Sequence, residues 1–539
     1  MTVTTSGIGR ASRVMALGTI ASRASGFLRT AVIAAAIGSH LLGDAYNVAN
    51  TTPNIIYDLL LGGVLTSVVV PLLAQAANSH LDGGQAYAQR LVTLVLVVLG
   101  GASALAVIAA PLIVHVYARG FTTEQTRLAT TFTRFFLPQI VFYGLGATIG
   151  AILNIRNRFA APMWAPVLNN VVVIGTGLLF ITMTHHRAGE SAELSTGAEL
   201  VLAIGTTAGI VAQTAALLPS LRAAGFRWRP RFDFRHSGLG QAGRLAGWML
   251  GYVAAGQVGY LVVVNLATSA GASGGQGVGY SPYAYAYTLF QLPHAVVAVS
   301  VITALLPRMS RHAVAGRLDD VRADLSTGTR LAAAALVPAS VAMFVFGKPV
   351  ATVVFGHGAT GVAGAQVVGA VLAAFAIGLV PYSAYQLQLR AFYALRDTRT
   401  PALIGLVLNA VLISIDVVLY AALPPRNRVV GLALGFGVAY AVALVVSARV
   451  LGGRIGGVDG RRTVQTVVRL LVASTVAVGP AWMTTLAVRT GLGAGPAAGL
   501  LGLASAGVVG GLVFVAAATR MRVPEVATLA ATVRARLPR

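Results

Sequence analysis

The sequence predicts an all-α polytopic membrane protein with about fourteen transmembrane helices, and three observations carry that reading. First, 56% of the 539 residues are hydrophobic and only 10% are charged, against about 25% charged in soluble domains. A soluble fold could not coat itself with so few charges. Second, the apolar residues run in blocks of span length separated by short polar joints. Third, the cations sit at the ends of those blocks. Cysteine is absent, which excludes disulfides, thiolate metal sites and cysteine nucleophiles. The formal charge of +24 does not point to nucleic acid, because the arginines flank apolar segments and form no separate basic region.

Counting about 20 apolar residues per crossing, spans are expected at 12–37, 46–77, 87–115, 128–153, 161–184, 198–224, 240–270, 281–310, 328–355, 363–394, 400–422, 428–452, 466–491 and 496–519. The first is too long, and with Arg23 and Arg29 too cationic, to read as a cleavable leader. The joints are short; the widest are RAAGFRWRPRFDFRHSG after Leu221 and RMSRHAVAGRLDDVRADLSTG after Pro307. With the N-terminus inside, 29 of the 39 Lys and Arg residues fall at cytoplasmic ends and seven at outer ends. Both termini are therefore expected in the cytoplasm.

Prolines mark an internal repeat. Pro53 recurs as Pro293, Pro138 as Pro381 and Pro162 as Pro401, at offsets of 240, 243 and 239. Six spans separate each pair, so the repeat is parallel, a transporter architecture with the substrate site expected between the halves. The division that follows is a six-helix lobe over 1–227, a second over 228–455, two extra helices over 456–522 and a tail over 523–539.

Charges within spans are functional candidates, since each costs about 2.5–3.5 kcal/mol on insertion scales. They are Arg23, Arg29, Asp58, Arg134 and Asp416. On a helical wheel Thr19, Ser22, Arg23, Gly26, Arg29 and Thr30 share one polar arc. Arginine there suits a diphosphate, because its planar fork donates two parallel hydrogen bonds. Asp58 falls between Arg23 and Arg29 in depth and is expected to pair with one of them. Asp416 follows Asn409 by two turns, so both lie on one face, where Na⁺ or H⁺ coupling, or a structural hydrogen bond, are the alternatives. For His294, beside Pro293, a cavity position and a packed one stand equal. Tyr280, Tyr283, Tyr285 and Tyr287 read as an interfacial belt. His185 and His186, with Glu190 and Glu193, read as a solvated loop and not a metal site, and Asp319 and Asp320 as a charged loop. No P-loop or Ser/His/Asp set is present, so no chemical step and no cofactor is expected.

The segments SRASGFLRTAVIAAAIG (22–38), GDAYNVANTTPNIIYDLLLGGVLTSVVVPLLAQ (43–75), GAILNIRNRFAAPMWAPVLNN (150–170) and RAFYALRDTRTPALIGLVLN (390–409) resemble the MurJ/MviN lipid II flippases of the MOP exporter superfamily, over essentially the whole chain. The resemblance implies two six-helix lobes and a groove at the last two helices for a lipid tail. It also implies movement of an undecaprenyl-diphosphate-linked peptidoglycan precursor to the outer leaflet by alternating access. Residue by residue, Arg23 and Arg29 match the first-helix arginines lining the cationic cavity, and Asp44 matches the acid opening the second helix. Tyr57 and Asp58 stand where many members have two arginines. Thr288 and Gln291 replace a basic and an acidic residue before the eighth-helix proline, and Gly62-Gly63 replaces a Glu-Gly. These departures keep two other readings open: a cation-coupled exporter of another substrate, and a transport-deficient scaffold binding cell-wall synthesis proteins through its cytoplasmic loops or tail. The expected location is the bacterial cytoplasmic membrane, with the membrane potential available as a driving force.

Overall fold

The computed structural model describes residues 5–59, 73, 75, 82, 84–184, 194–233, 239–274, 278–493 and 495–528, without the side chains of 5–16, 56–59 and 239–252. All regular structure among the described residues is helical. In chain order the helices are α1 Thr5–Ile37, α2 Leu41–Leu59, α3 Gln85–Ile108, α4 Ala110–Tyr117, α5 Thr123–Phe136, α6 Gln139–Ile155, α7 Ala160–Thr184, α8 Thr196–Ala215 and α9 Leu218–Ala223. There follow α10 Leu239–Gly274, α11 Tyr280–Pro293, α12 Val299–Val314, α13 Leu318–Phe355, α14 Gly361–Ala394, α15 Arg399–Ala422, α16 Arg428–Ile455, α17 Gly460–Leu492 and α18 Pro496–Arg520. These form thirteen segments long and apolar enough to cross a membrane among the described residues. The remaining expected span, 46–77, is described as helix only to Leu59, as α2.

The described residues divide into two compact units. The first holds Met1–Ala272 together with two short inserts, Gly279–Ser281 and Gly358–Thr360; the second holds Ser273–Val278, Pro282–His357 and Gly361–Arg539. In the first unit α1 packs on α7, α7 on α8, α2 on α5 and α3 on α6. In the second, α14 lies against both α13 and α16, and α17 pairs with α18. Lipid removes the hydrophobic drive between helices, so close packing needs small residues. Gly347 on α13 faces Gly369 on α14, and Gly378 on α14 faces Gly437 on α16. A Cβ on Gly347 would stand 2.7 Å from the Gly369 carbonyl oxygen, and one on Gly378 would stand 2.8 Å from the Gly437 Cα.

The repeat is written into the backbone. Asn157 (φ 57°) and Arg396 (φ 59°) are both non-glycine residues in the left-handed region, 239 positions apart, the offset of Pro162 and Pro401. Gly225 (φ 76°) and Gly456 (φ 71°), 231 positions apart, are left-handed glycines just beyond the last helix of each six-span set. The prolines act differently in the two copies. Pro138 separates α5 from α6, whereas Pro381 lies inside the unbroken α14. Pro53 is internal to α2, and Pro293 ends α11 at a single π-turn, His294–Ala298.

One expectation fails. Tyr280, Tyr283 and Tyr285 are buried and form no interfacial belt. Tyr283 stacks edge-on to Phe375 and Tyr285 lies parallel to Phe355, so their rings fill protein interior. Asp319 and Asp320 are also not loop residues: they occupy the first turn of α13, where carboxylates favour the helix dipole.

Candidate functional site

The candidate site in the first unit is built on α1, whose rotation is fixed by a seam with α7. Gly18 leaves room for Trp164, and Gly177 for Val32 and Ile33. Between them the Asn170 amide donates to the Ser22 carbonyl (3.2 Å) and to Ser25 Oγ (2.9 Å). Part of the polar arc is therefore protein contact, and Gly26 approaches the same Asn170 side chain. Arg23 points away from the seam and is exposed, while Arg29 is half-buried. Neither guanidinium forms a hydrogen bond or ion pair with any described residue. On α2, the Tyr46 hydroxyl is held by Thr206 at 2.8 Å, and its ring packs edge-on against Phe132 and Phe136. Arg134, in the last turn of α5, is exposed. Two mid-span cations thus stand on a firmly seated helix with no partner for their donors among the described residues.

The start of α2 does something else. Asp44, Asn47 and Thr51 share one face at i, i+3 and i+7. Asp44 is 2% exposed and accepts from the Ser281 backbone N–H at 2.7 Å, capping the N-terminus of α11 from another helix. Asn47 donates to Ser281 Oγ (2.9 Å), and Thr51 bonds the Tyr280 hydroxyl (2.9 Å), which also meets Tyr260. Gly279 precedes this cap because a Cβ there would collide with the Asp44 carboxylate. The second insert is held similarly, Thr360 Oγ1 donating to the Ala34 carbonyl at 2.6 Å. Asp44 is consequently a fastening and faces no open space.

The other expected residues lie in the second unit. Thr288 turns back to the Ala284 carbonyl (3.0 Å), and Gln291 donates to the Tyr287 hydroxyl (2.6 Å). His294 is a packed histidine, with Nδ1 2.9 Å from Ser383 Oγ and its ring 4.5 Å from that of Tyr382. Asp416 is fully buried and neither carboxylate oxygen has a partner among the described residues. Asn409 is not joined to it; its amide donates to Gly405 of its own helix at 2.8 Å. An apolar cavity of about 390 Å³ opens between α13, α17 and α18, walled by Pro338, Phe346, Ala481, Gly507 and Phe514.

A family model described as Lipid II flippase MurJ matches residues 33–494. The chain belongs to that family. A probable lipid II flippase MurJ of Rhizobium meliloti is 27% identical over 409 residues, 75% of this chain and 74% of the relative. The lipid II flippase MurJ of Burkholderia cenocepacia is 28% identical over 427 residues, 78% and 79% of the two chains. A solved MurJ in an inward closed conformation superposes with a TM-score of 0.75 at 18% identity, covering 94% of this chain and 98% of that one. An inward-facing MATE family transporter of the MOP superfamily gives 0.62 at 13% identity, covering 80% and 94%. These matches establish the fold: a multi-pass helical transporter architecture.

Within the MurJ frame, Asp58 belongs to α2, but its side chain lies outside the described residues, as does that of Tyr57; Gly62, Gly63, His185, His186, Glu190 and Glu193 lie outside them altogether. Sequence reasoning missed the Asn170 clasp and the Tyr46–Thr206 support. Asn170 was within reach, since it closes one of the family-like segments. Tyr46 and Thr206 are 160 positions apart, and no local pattern joins them.

Proposed function

We propose that this chain carries lipid II, or a close polyprenyl-diphosphate glycolipid, from the inner to the outer leaflet of the bacterial cytoplasmic membrane by alternating access, with no chemical step. The observation that carries this reading is the pair Arg23 and Arg29: guanidinium forks without a partner among the described residues, on a mid-span helix of a MurJ-family protein. They hold the diphosphate, and the cavity walled by α13, α17 and α18 takes part of the prenyl chain. Outward movement of two negative charges gains about 4–5 kcal/mol from an inside-negative potential of about 100 mV. Asp416 is the coupling carboxyl. An ionised carboxylate without donors is disfavoured in an apolar interior, which favours H⁺ over Na⁺ as the coupling ion.

Replacement of an essential lipid II flippase in depleted cells is the test. Growth supports the reading, and failure at normal membrane levels favours the scaffold. For the topology, both termini cytoplasmic, Arg229→Cys, His312→Cys and Arg461→Cys should be shielded from an impermeant thiol reagent in intact cells. Glu190→Cys and Arg426→Cys should be labelled. The reverse pattern overturns the orientation.

A further inference from the structure

The flipping mechanism makes no use of the basic stretch after Leu221, yet its non-helical residues 226–233 are tied to α3 by several hydrogen bonds. Phe226 is buried and covered by the Arg156 guanidinium, 5.8 Å from its ring centre. Gln89 of α3 donates to the Arg227 carbonyl (2.7 Å) and accepts from Arg231 Nε (2.9 Å). The Arg231 backbone N–H reaches Thr93 Oγ1 at 3.1 Å, and Asp233 pairs with Arg90 at 2.5 Å. With its backbone fixed, the segment presents Arg227, Trp228, Arg229 and Phe232 outward. Trp228 is 48% exposed and Phe232 68%. The guanidinium groups of Arg227 and Arg229 have no partner among the described residues, and Arg158 and Arg222 are exposed on the same end of the unit.

Among the described residues, the nearby carboxylates are engaged elsewhere and none neutralises this surface. Asp233 is occupied by Arg90, and Asp82 by the backbone N–H groups of Gly84 and Ala86 at the start of α3. The corresponding end of the second unit is arranged differently. There Arg308 faces Asp324, Arg317 faces Asp320, Arg322 faces Asp319 and Arg454 faces Asp397. Alternating arginines and exposed aromatic rings at the level where apolar helices end are the composition of a membrane interface. The rings lie among headgroups and each cation is attracted to anionic lipid.

We infer that residues 227–232, with Arg158 and Arg222, form a binding surface for the phosphate groups of anionic phospholipids, Trp228 seating the loop among the headgroups. An acidic protein would satisfy the arginines but would not require solvent-exposed aromatic rings beside the span ends. The inference does not depend on which glycolipid is carried.

The full chain in nanodiscs of mixed phosphatidylglycerol and phosphatidylcholine provides the test, with co-retained lipid read by native mass spectrometry. Wild type should enrich phosphatidylglycerol. The double variant Arg227→Gln/Arg229→Gln should lose that preference by about fivefold for each arginine, whereas Arg426→Gln, at the other end of the helices, should leave it unchanged. A photo-crosslinking residue in place of Trp228 should capture lipid in cells, and it reads the same question if the double variant accumulates poorly. Unchanged enrichment in the double variant, or capture of protein in place of lipid at position 228, overturns the inference.

Discussion

Asn170 and Asn409 occupy the same place in the two repeats, 239 residues apart, and do opposite things. Asn170 reaches across to α1 and holds it by two hydrogen bonds; Asn409 folds back on its own helix. Two turns further on, Gly177 admits Val32 and Ile33 of α1, while its counterpart Asp416 packs against Gly435 of α16. The loops differ in the same sense. Arg156 and Arg158 donate to the carbonyls of Ala224 and Ala223, whereas Asp397, the counterpart of Arg158, takes Arg454. One duplicated scaffold has thus been given two electrostatic characters. Among the described residues the first copy directs polar groups to seating a cationic helix and leaves Arg23 and Arg29 of that helix without partners; the second closes several of its charges on one another.

The sharpest way to break this comparison is to remove the uncommitted charge. Arg23→Ala or Arg29→Ala should abolish complementation at normal membrane levels, with Lys at either site partly active, because a point charge replaces a bidentate fork. Growth of both alanine variants would make the two copies functionally alike. A second test concerns the closed charges of the other unit. Arg330, 6% exposed, pairs with Glu525 at 2.6 Å and bonds Ser326, with Asp459 at 3.5 Å. Arg330→Ala should destabilise the protein by about 3–5 kcal/mol, since it leaves a buried carboxylate without its partner; thermal unfolding in detergent measures this.

The asparagines provide a finer comparison. Asn170→Ala should cost about 1 kcal/mol, the scale of interhelical hydrogen bonds in membranes, and lower flipping by loosening α1. Asn409→Ala should be near neutral in the same assay. Equal effects would deny the distinction. The smallest effect is expected at Asp397. Burial would raise this carboxyl, but bonds from Thr400 and Arg454 outweigh it and hold the group below its usual range. Its contribution is therefore present at neutral pH and is lost as pH falls below about 3.8. Asp397→Asn should lower stability at pH 7 by under about 1 kcal/mol, as partly exposed pairs do, and by progressively less as pH falls below about 3.8.

Much of this was legible beforehand. The apolar blocks gave the helices, and the prolines gave the repeat that Asn157 and Arg396 repeat in their backbone angles. Arg23 and Arg29 stood out because a cation in mid-bilayer is conspicuous in any sequence. What stayed hidden depends on side chains meeting across long separations. A wheel places Ser22 and Gly26 beside Arg23, but only the approach of Asn170 tells that they belong to a seam. The tyrosines at 280–285 misled for a related reason: aromatic residues where a span begins look interfacial, yet Tyr280 is drawn inward by the Asp44 cap and Tyr283 by Phe375.

The ion pair between Arg330 and Glu525 also bears on how the protein is made. Its partners are 195 residues apart, so a ribosome working at about 5–20 residues per second finishes Glu525 some 10–40 seconds after Arg330. Throughout that interval α13 carries a guanidinium whose carboxylate does not yet exist. The helix can be inserted, but the end that carries Arg330 cannot be closed over until α18 has been made and the chain beyond it has turned back. Synthesis of the segment after α18 is therefore itself a structural event for the second unit: before Glu525 is made, α13 to α18 are present and the contact that seals Arg330 is not.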